Sequence, residues 1–245
     1  MELNDRCKEI ILGSLLGDGS LKIAKSYKNA RFSFRHSICQ KEYFFWKVKK
    51  LKEISSKNCF WEQKSDGWSK RKKLRYQSLT KDSLTKLYHL VCSEGNLRIH
   101  RKWLKLLTPL SLAVWWLDDG SLIGNGRKGV FCSEGFNYQN LMVLSRYLRD
   151  TWKIRTKIGR GGKYYQLRIS STEELKKFLR LILSHFSITN MLPKVMLLYK
   201  DSQLQQRWIS EVCQLTKFSR RIVEKYLAAK KKKWKNFREW YSPSS

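Results

Sequence analysis

The sequence predicts an α+β protein made of two pseudo-symmetric halves, each running αββαββα. Three observations predict it. First, an apolar helical segment ending in Asp-Gly occurs twice, from Ile10 to Ser20 and from Leu112 to Ser121. Second, the same order of alternating and helical patterns follows each copy, at an offset of roughly a hundred residues. Third, a formal charge of +31 sits on a chain that is 42% hydrophobic and 13% aromatic. A disordered basic tail lacks that aromatic content, so the chain folds around a core. The expected boundaries are 1–100 for the first half, 101–200 for the second, and 201–245 for a basic helical tail.

The elements follow in chain order. Residues 31–36 alternate strictly, with Arg31, Ser33 and Arg35 on one face of a strand. Phe44, Val48 and Leu51 stripe a helix. A basic hairpin runs from Asn58 to Thr80 around Lys70, Arg71, Lys72 and Lys73. Leu84, Leu87, Tyr88 and Val91 mark a second helix. In the second copy, Thr108 and Pro109 are an N-cap and a first helical residue. A strand at 129–133 and a helix striped by Leu141, Leu144 and Leu148 come next. A hairpin from Arg155 to Ser170 turns around the glycines of 159–162, with Gln166, Arg168 and Ser170 on one face of its second arm. Ser171-Thr172-Glu173-Glu174 is a capping box for the helix striped by Leu175, Phe178, Leu179 and Ile182. Each half therefore has an antiparallel sheet with an apolar face toward helices and a basic face toward solvent.

The tail reads as a helix through Trp208, Ile209, Val212 and Leu215, a turn at 216–218, and a second helix from Ser219 to Ala229. Lys230 to Lys233 follow as a charge run. Residues 214–227 fit the turn and second helix of a helix-turn-helix, which would put Arg220 and Arg221 on DNA. They fit equally well a basic amphipathic helix packed on the second half.

Such a charge self-repels unless a polyanion relieves it. The basic residues are spread along the whole chain, which favours nucleic acid over a membrane surface. The six cysteines contain no CxxC, so they read as reduced thiols without a zinc knuckle. No apolar run reaches the ~18 residues of a membrane span. The N-terminus lacks the core of a signal peptide and the look of a transit peptide, which predicts work in the compartment of synthesis.

The repeated acid-glycine ends carry the chemistry. Gly13 and Gly17 lie four residues apart on one helix face and let another helix backbone approach. If the two repeat helices pack on each other, Asp18 and Asp119 meet at their C-terminal ends, against the negative dipole. Two carboxylates there repel unless a divalent cation shares them. Hard oxygen ligands suit Mg²⁺.

These two segments, above all Leu107 to Gly120, resemble the paired signature helices of the LAGLIDADG homing endonucleases in their single-chain, two-motif form. The resemblance covers about residues 1–200. It departs from the signature at Ile11, Leu12 and Leu16 in the first motif and at Val114 in the second, where the family has glycine. It implies two basic sheets forming a saddle over the major groove of a long asymmetric duplex, with the signature helices at the interface. It implies Mg²⁺, with Mn²⁺ able to substitute, held by Asp18 and Asp119 and by the carbonyls of Gly17 and Asp118. Each half would cut one strand, leaving 3′ overhangs. Lys194 in the second half and Arg98 in the first match the supporting basic residues. On the sheet faces, Arg31, Arg35, Arg75, Gln77, Gln166 and Arg168 would read base edges. Lys70, Arg71, Lys72, Lys73, Arg160 and Lys163, at hairpin tips, would clamp phosphates.

Gly124 to Gly129 matches GxGxxG but does not join a strand to a helix, and no P-loop occurs. Three functions fit the scaffold: a metal-dependent site-specific endonuclease of intron homing, an RNA-binding maturase that assists group I intron splicing, and an inactive DNA-binding regulator. Intact Asp18 and Asp119 favour the first. The expected protein is an intron-encoded monomer that binds duplex DNA, with intron RNA as a further partner and no membrane. A chloroplast or mitochondrion is the expected location, with a microbial cytoplasm as the alternative.

Overall fold

Asn4 accepts a hydrogen bond from the Cys7 amide at 2.8 Å and so starts the first helix, α1 (Asp5–Leu15). The computed structural model describes residues 2–63, 72–133 and 135–233. After α1 come β1 (Gly19–Lys22), β2 (Arg31–Ser37), α2 (Lys41–Lys50), β3 (Phe60–Gln63), β4 (Lys73–Gln77) and α3 (Asp82–Val91). A short hairpin, β5 (Cys92–Ser93) and β6 (Asn96–Leu97), and the single turn α4 (Arg101–Leu104) lead into α5 (Pro109–Asp119). The order then repeats as β7 (Gly120–Ile123), β8 (Lys128–Phe131), α6 (Tyr138–Trp152), β9 (Lys157–Gly161), β10 (Tyr164–Ile169) and α7 (Thr172–Leu183). A 3₁₀ turn (Thr189–Lys194) precedes α8 (Ser202–Thr216) and α9 (Arg220–Lys233). The chain divides into two compact units between Asp119 and Gly120.

In the first unit α1 packs along α5. Thr108 caps α5 by accepting from the Ser111 amide at 3.3 Å. The Ser111 hydroxyl donates across the seam to the Glu9 carbonyl at 2.9 Å. A Cβ on Gly13 would fall on the Ser111 carbonyl oxygen, and one on Gly17 would lie 2.5 Å from the Asp118 Cβ. The glycines of α1 therefore create the close approach, and Val114 of α5 is simply buried. Backbone, not a flexible side chain, faces Gly13. Gly13→Ala is expected to lower stability by about 1–3 kcal/mol, read from urea unfolding. An unchanged midpoint would contradict this account of the seam.

The sheet of this unit has the order β1-β2-β4-β3, all antiparallel. Phe32, Phe34, Leu74 and Tyr76 point inward onto α2 and α3, with Phe34 and Tyr76 stacked at 4.8 Å. Arg35 and Arg75 are exposed on the other face. The alternation expected at 31–36 is the observed one.

The second unit has the matching sheet order β7-β8-β10-β9. Leu167 and Ile169 face α6 and α7, and Phe131 meets Phe178 edge-on at 5.5 Å. Asn137 caps α6, and Lys153, at φ 59°, ends it. Ser171 caps α7 as expected, but the capping box is not reciprocal. Glu174 accepts instead from the Arg155 amide at 2.8 Å, in the loop before β9. Lys217, at φ 63°, makes the turn between α8 and α9. Lys230 to Lys233 continue α9 as its last turn. No helix among the described residues is long and apolar enough to cross a membrane.

Candidate metal centre and nucleic-acid face

Helix α1 stops at Leu15, and the Gly17 amide bonds back to the Ser14 carbonyl at 2.9 Å. Asp18 emerges just beyond, its side chain 38% exposed. On α5 the acid that faces α1 is Asp118. Gly17 has no side chain, and the Cβ and carboxylate of Asp118 take that space. The buried carboxylate accepts from the Tyr43 hydroxyl at 2.6 Å, from the Lys47 ammonium at 3.1 and 3.2 Å, and from the Asp18 amide at 3.3 Å. Tyr43 and Lys47 stand four apart on one face of α2. The Lys47 ammonium also lies 4.3 Å from the Phe34 ring centre.

Burying two charges costs several kcal/mol each. They persist here because the carboxylate is bonded from every side. Burial, then the charge of Asp118, pushes the Tyr43 phenol well above its ordinary pKa, so it stays a hydrogen-bond donor. His36 comes from the inward face of β2. Its Nε2 lies 3.5 Å from the Lys47 Nζ, and its Nδ1 lies 3.2 Å from an Asp18 oxygen.

Asp18, His36 and Asp118 each offer a ligand atom, and these atoms lie within 4.8 Å of one another. A carboxylate has about four lone-pair sites, and those of Asp118 are taken up by Tyr43, Lys47 and the Asp18 amide. Asp118 therefore orients the cluster. The solvent-facing Asp18 carboxylate and the buried His36 Nδ1, which has no aligned hydrogen-bond partner, are the donors that fit a divalent cation.

The sequence pairs Asp18 with Asp119 and assigns Asp118 only a carbonyl. Among the described residues the group contains the Asp118 carboxylate and not Asp119. The reason is helical geometry: successive residues are rotated by about 100°, so neighbours cannot both face α1. Asp119 is the half-buried last residue of α5. Arg98 is exposed after β6, its carbonyl accepting from the Trp103 indole at 2.8 Å, and it is not part of the group. Lys194 ends the 3₁₀ turn of the second unit, half-buried. Sequence reasoning missed His36, Tyr43 and Lys47. The available signal was a histidine at an inward strand position and a lysine beside Phe44 on the helix's apolar side.

A groove of about 600 Å³ is lined by Asp18 together with Lys22, Arg35, Trp61, Arg75 and Gln77. Arg35 and Arg75 are direct cross-strand neighbours. Like charges placed so destabilise a sheet until an anion lies across them. Arg31 rests on the Tyr27 ring at 4.7 Å, and Arg75 near Trp61 at 5.8 Å. Lys73 opposes Ser37 in the same sheet. Lys72 pairs with Glu62 at 2.7 Å, which holds its pKa up. Lys70 and Arg71 lie outside the described residues.

In the second unit Lys163 sits at the hairpin tip beside Gly162, at φ 62°. Arg160 is not at the tip. It lies within β9 opposite Tyr165, with its guanidinium 5.4 Å from that ring's centre. The Arg168 side chain lies over Gly159 and the Gln166 side chain over Gly161, where a Cβ would collide with them. Arg168 donates to Gln166 at 3.2 Å and to the Arg160 carbonyl. Arg220 is turned onto its own helix pair, bonded to Glu224 at 2.9 Å and to Gln206, while Arg221 is exposed.

Residues 8–178 match the LAGLIDADG DNA endonuclease family. Over 200 residues the chain is 30% identical to the cytochrome b mRNA maturase bI2 of Saccharomyces cerevisiae, covering 77% of this chain and 47% of the maturase. It is 29% identical to the RecA protein of Mycobacterium gastri, covering 74% of this chain and 45% of that one. It thus spans about half the length of these two relatives. The DNA endonuclease I-ChuI of Chlamydomonas applanata is 26% identical, over 64% of this chain and 77% of its own. Among solved structures, the homing endonuclease I-WcaI bound to its DNA recognition sequence superposes with a TM-score of 0.72 at 20% identity, over 81% of this chain and 89% of that one, a likeness of fold. With the family match running from α1 through α5 into α7, the chain belongs to the LAGLIDADG DNA endonuclease family.

Proposed function

We propose that the protein is a site-specific, metal-dependent DNA endonuclease acting as a monomer on a long asymmetric duplex. The observation that carries this reading is Asp18: its carboxylate lines a groove walled by arginines, and its backbone is tied to the buried Asp118. Asp18 and His36 would hold the cation, Mg²⁺ with Mn²⁺ able to substitute, and the pairing of acids that the repeat implies would add Asp119 and the Gly17 carbonyl. A bound cation lowers the pKa of water and stabilises charge on a scissile phosphate. The chain's own residues do the rest. Arg35 and Arg75 neutralise backbone phosphates or read guanine, and Gln77 offers an amide to adenine. The halves 1–100 and 101–200 would each serve one strand, with Arg98 and Lys194 as the supporting basic residues and 201–245 as the appended tail. Composition and the likeness to a cytochrome b maturase favour an organellar gene.

The test is incubation with a randomised duplex library in Mg²⁺, in Mn²⁺ and in EDTA, with the broken ends sequenced. The expected result is one family of cut sites with 3′ overhangs, absent in EDTA. Library DNA left intact in both metals would overturn the reading. The 30% identity to a maturase supports a second reading, RNA binding. It would prevail if the protein left DNA whole and accelerated group I intron splicing.

A further inference from the structure

Lys230 opens a run of four lysines and is nonetheless half-buried in α9. Its Nζ donates to the Pro193 carbonyl at 2.7 Å and to the Met196 carbonyl at 2.8 Å, on either side of Lys194 and Val195. Burial pulls its pKa from the usual lysine range to about 7. The amine keeps at least two N–H donors in either protonation state, so both bonds survive.

The surrounding contacts follow the same plan. Residues 195–199 form neither helix nor strand, yet they are buried, so their backbone groups need side-chain partners. The Trp208 indole donates to the Val195 carbonyl at 3.1 Å. Gln205 donates to the Leu197 carbonyl and accepts from the Tyr199 amide, both at 3.1 Å. On α9 the Tyr226 hydroxyl lies 3.4 Å from the Thr189 hydroxyl. Helices α8 and α9 lie beyond the family match, which ends at residue 178, and the buried Gln205 and Trp208 of α8 and the half-buried Tyr226 and Lys230 of α9 converge on the segment that carries Lys194.

We infer that α8 and α9 form a splint that positions Lys194, with Lys230 as the positioning residue. The tail then belongs to the cutting machinery of one half, where the sequence pattern fits equally a second DNA-reading module and a basic helix packed on the second half. The inference rests on the proposed role of Lys194 in cleavage.

The test uses the full chain and a doubly end-labelled duplex selected from the random library. Nicking rates are measured for each strand in Lys194→Met, Lys230→Met and Trp208→Phe. Lys230→Met is expected to slow the strand that Lys194→Met slows by about 10–100-fold, leaving the other strand within about twofold. Trp208→Phe is expected to slow the same strand less. Equal slowing of both strands would overturn the inference, as would a loss of duplex affinity with unchanged nicking of bound DNA. Amide hydrogen exchange across 191–199 is measured in parallel. Faster exchange in Lys230→Met with normal nicking in Lys194→Met would retain the splint and reject the role of Lys194. Unchanged exchange would reject the splint itself.

Discussion

Asp18→Asn is expected to abolish the proposed double-strand cleavage while target binding stays at or above the wild-type level. The substitution keeps the shape of the side chain and removes its charge. The fold does not depend on that charge, because the side chain is 38% exposed and the bond that ties residue 18 to Asp118 comes from its backbone amide. Binding does not depend on it either, since a negative charge among Lys22, Arg35 and Arg75 opposes the approach of phosphate. The step that suffers is the one needing a cation. A bound metal supplies several kcal/mol of transition-state stabilisation. Each ~1.4 kcal/mol is tenfold in rate, so the expected loss is about 10³-fold or more in single-turnover cleavage. A variant that cuts within tenfold of wild type would remove Asp18 from the metal centre. Asp119→Asn is expected to lose cleavage as well, by the pairing of acids that the repeat implies. Wild-type cutting in that variant would instead leave the Asp18–His36–Asp118 group sufficient.

What could be read from the sequence was whatever recurs along a single element. The two acid-glycine ends, the strict alternation at 31–36 and the helices all repeat locally, and the structure has each of them, with Val48 and Tyr88 of the expected stripes half-buried. The residues that escaped are polar groups satisfied by distant partners. Lys47 sits three residues after Phe44 on the buried side of α2, and Val48, expected in the stripe, is only half-buried. A lysine ordinarily marks a solvated face. What reverses the rule is a carboxylate 71 residues further on, and no local periodicity encodes it. Lys230 escapes a local reading for the same reason, its carbonyl partners lying 37 and 34 residues earlier. Asp118 and Asp119 are adjacent, so choosing between them depended on which side of α5 meets Gly17, a property of the packed helix pair.

Lys47→Met should be among the most destabilising single substitutions in the first unit. It keeps the aliphatic length that fills the space between Phe34 and Tyr43, and it leaves the Asp118 carboxylate in a buried site without its lysine counter-charge. Breaking a buried pair from one side costs about 3–5 kcal/mol. A domain holds only about 5–15 kcal/mol in total, so the urea midpoint should fall far. Asp118→Asn strands Lys47 and should cost a comparable amount. The double variant Lys47→Met/Asp118→Asn leaves no buried charge and keeps an oxygen at residue 118 to accept from the Asp18 amide. It should recover about 1–3 kcal/mol relative to the sum of the single changes. Additive losses would mean that the pair is not coupled and that the cost is one of packing alone. The double variant also separates stability from function. Folded and still bonded to residue 18 through a neutral group, it should cut more slowly than wild type if the charge of Asp118 helps to orient Asp18 and His36. It should cut normally if the pair serves only to let an acid sit where α5 meets a glycine.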